Sequence, residues 1–192
     1  MTAVTTPAEV LAFWFGQPTT TTPRPEWFRK DGAFDALIRQ RFGATLQAAL
    51  AGNLQAWCAQ PDTALAHIVV LDQFTRNAFR DTAQAFAGDA LALQAASALV
   101  ANGGHLQLSP LQRWFAYLPF EHAEDMGRQA QSLQLFGALA AEYPALGDAH
   151  VWAQKHQAVV AQFGRYPHRN ALLGRESTAE EAVFLQEPGS SF

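Results

Sequence analysis

No stretch of this 192-residue chain sustains an apolar/polar alternation of period two with β-branched enrichment, so a sheet is not expected. What the chain carries instead is helix punctuation. Thr6-Pro7-Ala8-Glu9 reads as a helix start: Thr caps, Pro suits the first helical position, and Glu closes a capping box. Val10, Leu11, Phe13, Trp14 and Phe15 follow, apolar almost all round, and Gly16 with Pro18 ends the segment. Asp31 opens a second helix, with Phe34, Leu37, Ile38, Phe42, Leu46, Ala49 and Leu50 at three- and four-residue spacing and Gly52-Asn53 as its stop. Asp62 reads as the cap of a third helix, running through Leu65, Ile68 and Val69 toward Phe79 and broken at Asp81-Thr82.

Further helices are expected over Asp89–Val100, stopped by Asn102-Gly103-Gly104, and over Leu111–Leu118, opened by Ser109-Pro110 and interrupted by Pro119. Glu121–Tyr143 reads as one long helix with Met126, Ala130, Leu133, Phe136, Leu139 and Ala140 inward. Asp148 caps a helix to Phe163, which Gly164 terminates, and Ser177–Glu181 starts a last short one. The expectation is an all-α single domain over residues 1–192, with its core at about 6–187. It comprises eight to nine helices stacked as antiparallel pairs.

Composition then removes function classes. Lys and Arg number 13 against 17 Asp and Glu, a net charge of −4 with no basic run, so no nucleic-acid partner is expected. One cysteine, Cys58, excludes an internal disulfide and a multi-cysteine metal site; beside Trp57 it reads as a small buried hydrophobe. No apolar stretch approaches the ~20 residues that span a bilayer, and Met1–Val10 lacks the basic residues of a secretory signal. A soluble, cytoplasmic protein without a membrane partner is expected. Charged residues are only 16%, below the usual ~25%, which leaves surface for a partner to cover. No Gly-rich phosphate loop and no serine or cysteine nucleophile motif is present, and no cofactor is expected.

Three polar clusters exceed what a helical core needs. Asp72, Gln73, Arg76 and Asn77 follow the apolar run Ile68–Leu71; Asp72 and Arg76, four apart, form either a structural ion pair or a polar helix end facing a pocket. Glu121, His122, Glu124 and Asp125 read as carboxylates favoured at the positive start of a helix, or as a site in which His122 moves a proton. His122 with Asp125, or Glu121 with Asp125, would need ligands from elsewhere to hold a metal, and none is expected. Arg165, His168, Arg169, Asn170 and Arg175 suit a phosphate or carboxylate, or else tie the acidic clusters and the last helix down.

Several strings in this chain are familiar as a set. Trp14-Phe15-Gly16, Trp27-Phe28, Leu71-Asp72-Gln73-Phe74-Thr75-Arg76-Asn77, Leu118-Pro119-Phe120-Glu121-His122-Ala123-Glu124-Asp125 and Phe163-Gly164-Arg165-Tyr166-Pro167-His168-Arg169-Asn170 occur in this order. The chain resembles the bacterial domain-of-unknown-function family 924 from about Ala8 to Phe184. The resemblance implies an all-helical, tetratricopeptide-like array and carries no established activity. Thr75 departs from the proline usual at that position.

The expected function is binding of a small polar or anionic molecule by Asp72, Gln73, Arg76, Asn77, Glu121, His122, Glu124, Arg165, His168, Arg169 and Asn170. In an enzyme, His122 or His168 would carry the proton and Asp72 or Glu124 would orient it. The alternative is a protein- or peptide-binding scaffold in which the same clusters are structural ties.

Overall fold

Helix α1 (Pro7–Phe15) starts where the capping box lies: Thr6 Oγ1 accepts from the Glu9 amide at 3.3 Å while Glu9 Oε2 accepts from the Thr6 amide at 2.7 Å. Gly16 then turns the chain at φ 82°. The computed structural model describes residues 3–16 and 19–190, so the stop expected at Pro18 lies outside the described residues. Among the described residues there are nine α-helical segments and no strand. The chain is all-α, as its periodicity requires. No helix among them is long and apolar enough to cross a membrane.

The fold divides into two compact units, one of Met1–Arg80 with Gln84–Pro119, the other of Asp81–Ala83 with Phe120–Phe192. In the first unit, α2 (Gly32–Leu50) is capped by Asp31. α3 (Pro61–Val69) runs through a π-helical turn, Val70–Phe74, into α4 (Thr75–Ala78). Here Pro61 opens the helix behind Gln60, and Asp62 falls in the first turn rather than at the cap. The Thr75 hydroxyl donates to the Leu71 carbonyl at 2.7 Å and so takes up an acceptor beside the widened turn. Asp81, at φ 62°, ends the run where the break was expected. α5 (Asp89–Ala101) packs on α3, and Gly103 at φ 74° stops it in the left-handed region.

The core of this unit is aromatic. Trp14, Phe42, Phe74 and Phe115 are sealed, and Trp14 meets Trp27, Phe74 and Phe115 with centroids 5.5–6.0 Å apart. Gly88 is required by close approach: a Cβ there would stand 2.1 Å from the Leu71 carbonyl oxygen.

α6 (Pro110–Glu121) corrects one expectation. Pro119 does not interrupt it but sits in its last turn, where its missing N–H removes one bond and little helix remains. The segment expected to start a long helix at Glu121 is the end of α6, followed by a turn over residues 122–125. Asp125 then caps α7 (Met126–Glu142), its side chain accepting from the Arg128 amide at 2.8 Å. The stripe α7 buries is also not the apolar one expected. Gln129, Ser132, Phe136 and Leu139 face inward, and Met126 is exposed. Two buried polar residues shift the phase away from the one hydrophobicity suggests.

α8 (Gly147–Phe163) packs along α7 and ends at Gly164, φ 70°. Asp148 lies in its first turn and Leu146 holds the cap position. Short α9 (Ala179–Phe184) starts in the capping box expected of Thr178 and Glu181. Trp152, read as core, is 45% exposed.

Candidate functional site

The first polar cluster lies in the first unit, on the π-helical turn and the start of α4. Asp72 is buried; Gln73 Nε2 donates to its Oδ2 at 2.7 Å and Arg76 Nη1 lies 3.3 Å from Oδ1. The guanidinium also grips Asp89 with two bonds, 2.8 and 3.1 Å. Asn77 donates to Asp35 Oδ1 at 2.8 Å, and Arg80 completes that carboxylate with bonds of 2.6 and 2.9 Å. Burial works against the Asp35 charge, but Arg80 and Asn77 outweigh it and hold its pKa below the ordinary value. These contacts tie α2 to α4 and α4 to the start of α5.

Cys58 is half-buried rather than sealed, and its Sγ lies 3.3 Å from His67 Nδ1. Burial raises the thiol pKa and lowers that of the imidazole, so the contact joins two neutral groups.

The second and third clusters share the second unit, and here the structure brings residues together. Tyr166 is the hub. Its ring is sealed, and its hydroxyl donates to the Glu121 carbonyl. Gln129 Nε2 lies within 2.7–2.8 Å of the Glu121 and Ala123 carbonyls and the Tyr166 hydroxyl. The end of α6, the buried face of α7 and the Tyr166 segment are thereby fixed to one another. Around the ring stand Arg169, its guanidinium carbon 4.5 Å from the centroid, and the imidazoles of His156 and His168, each 5.6 Å away. His122 lies beyond, 6.3 Å from His156. Burial raises the Tyr166 pKa, so its hydroxyl keeps its proton.

Other predicted residues serve as ties. Arg175 grips Glu124 with bonds of 2.6 and 2.9 Å, and Glu124 also accepts from the Tyr166 amide at 2.8 Å. Burial opposes its charge, but these donors bring the Glu124 pKa below the ordinary value. Arg165 clamps Glu181 at 2.6 and 2.8 Å, and Asn170 Nδ2 reaches Ser177 and Glu181 at 3.0 and 3.2 Å. The Arg165 bonds hold the Glu181 pKa at about 2 against its burial, with the Thr178 amide adding to the effect.

The orienting carboxylate is also not one of those expected. Glu124 is taken by Arg175, whereas buried Glu121 places Oε1 3.2 Å from His156 Nδ1. His156 was missed by sequence reasoning, though it was legible. Ala149, Ala153, His156 and Val160 make the inward stripe of α8 at four- and three-residue spacing. Gln129 had no such signal. Among the described residues, no group of three or more His, Cys, Asp or Glu is placed to hold a metal ion.

Comparison with known proteins adds a family and no activity. No match is found among curated proteins. A solved structure of a protein of unknown function from Agrobacterium tumefaciens is similar at 36% identity and TM-score 0.84, covering 95% of this chain and 97% of that one. A family model described as a bacterial protein of unknown function (DUF924) matches residues 10–189, and the chain belongs to that family.

Proposed function

We propose that the protein binds a small polar or anionic molecule at the Tyr166 cluster. The carrying observation is the convergence of Arg169, His156 and His168 on one sealed ring, with His122 next in line. A helical core needs no such concentration of basic groups. Arg165, Arg175, Glu124 and Asn170 already supply the ties that hold this region together. The ligand-facing set in this reading is His122, His168 and Arg169, with Glu121 orienting through His156. His122 and His168 are half-buried and so retain access to solvent, which makes them the imidazoles able to exchange a proton with a ligand.

Native mass spectrometry of freshly purified protein, followed by a thermal-shift screen of small metabolites, tests this. A compound that stabilises the native chain but not an Arg169→Gln variant supports it. A screen with no stabilising compound, beside variants that only lose stability, sinks it.

The scaffold reading rests on a different observation. Val151, Trp152 and Val183 are 47%, 45% and 63% exposed on the same unit. Peptide capture abolished by Trp152→Glu, with no change in the metabolite screen, would favour it.

A further inference from the structure

The ligand class at the Tyr166 cluster can be narrowed, given that the reading above holds. The basic groups come from two chain segments, His122 from the turn after α6 and His168 with Arg169 from the stretch after Tyr166. They stand around the ring rather than in one plane. The guanidinium is 4.5 Å over the ring, one imidazole is 5.6 Å on the His168 side, and a second is 5.6 Å on the His156 side with His122 beyond it.

Arg offers a planar fork, and each imidazole directs its N–H separately. A carboxylate has two coplanar oxygens, which a single guanidinium satisfies. A phosphate group presents three terminal oxygens in divergent directions and carries about −1.5 to −2 charges at neutral pH. It therefore suits donors that surround a point. Charge argues the same way. The other arginines of this region are neutralised in pairs, Arg165 by Glu181 and Arg175 by Glu124. Glu121 lies against His156, and a partly protonated phosphate has an O–H to donate toward such a carboxylate, which an ionised carboxylate ligand lacks.

We infer that the Tyr166 cluster recognises a phosphate group, as inorganic phosphate or as a phosphate monoester, with Arg169, His168 and His122 as its donors.

The experiment is calorimetric titration of the full chain with inorganic phosphate, beside acetate and malonate, which separate the shape of the anion from its charge. Phosphate is expected to bind one to one and more tightly than either carboxylate. Binding should weaken at least tenfold in Arg169→Lys, which keeps the charge and loses the fork, and in His168→Gln. Because His168 is only half-buried, that variant keeps the test open should Arg169→Lys fail to fold. Acetate or malonate binding as tightly as phosphate would overturn the phosphate inference and leave the broader anion reading standing. Binding of none of the three, with a screen that also finds no ligand, would end both. Phosphate binding unchanged in both variants would place the anion elsewhere and overturn the inference. A phosphate monoester displacing inorganic phosphate would mark the ester as the natural form, and failure to displace it would leave the free anion.

Discussion

Glu121 Oε1 lies 3.2 Å from His156 Nδ1, and the same nitrogen lies 2.9 Å from the Trp152 carbonyl oxygen. A nitrogen facing two acceptors carries its proton, so the tautomer is set and the contact is a hydrogen bond from a neutral ring. Burial first, then the nearby His122, outweigh the Trp152 carbonyl and disfavour a second proton, bringing the His156 pKa down to about 3; Arg169 and His168 act the same way.

The sign of the pH dependence follows. The unfolded chain takes up a proton at this histidine near the ordinary value of about 6.5, and the folded chain does so only near 3. The contribution of neutral His156 is therefore complete above pH 6.5 and is lost as the pH falls toward 3, in total on the order of a few kcal/mol. Urea denaturation between pH 7 and 4 should show this loss, and His156→Gln should be less stable at pH 7 with a shallower slope. An unchanged slope would assign the acid sensitivity to other groups.

Arg165→Met should release α9. Glu181 is buried, and removing its cation leaves a carboxylate held only by Asn170 and the Thr178 amide. Removing one partner of a fully buried pair costs about 3–5 kcal/mol, and the part-exposed Arg165 places this case lower, at about 2 kcal/mol. Hydrogen exchange should rise first at residues 177–185. Protection there equal to wild type would show that packing, chiefly Phe163 on Phe184, suffices.

Gly88→Ala should destabilise the first unit although Gly88 has an ordinary negative φ. The added carbon meets backbone, the Leu71 carbonyl, and backbone cannot rotate away. Overpacking of this type costs about 1–3 kcal/mol, and the severity of the clash puts this variant at the upper end. The denaturation midpoint should fall accordingly, and a shift below about 0.5 kcal/mol would mean that the 83–88 segment moves at little cost.

Gln129→Leu fills the same space but strips donors from the Glu121 and Ala123 carbonyls and the Tyr166 hydroxyl. Buried acceptors left unsatisfied cost about 1–3 kcal/mol each, reduced where another donor remains, as Tyr166 does for Glu121. A drop in stability together with weaker phosphate binding is expected, because Gln129 fixes the hub around which the donors stand. Loss of stability with unaltered phosphate affinity would show that the hub does not position them.

Much of this molecule was readable in one dimension because helices are local. Thr6 with Glu9, Thr178 with Glu181 and Asp31 each act within three residues of their partners, and Gly16, Gly103 and Gly164 turn the chain where their missing Cβ allows. The stripe of α7 was not readable, because Gln129 and Ser132 are inward yet polar, and hydrophobic periodicity is silent on a polar residue that finds its partners far away.

The sequence by itself determined an all-α chain, the places of most helix ends and the three polar clusters, since each depends on spacings of a few residues. Tertiary structure alone decided what those polar residues do. Asp35 meets Arg80, Glu124 meets Arg175 and Glu121 meets His156 across 35 to 51 positions. Packing, and not spacing, chooses such partners. It leaves Arg76, Arg165 and Arg175 bound to carboxylates and sets Arg169 over the Tyr166 ring.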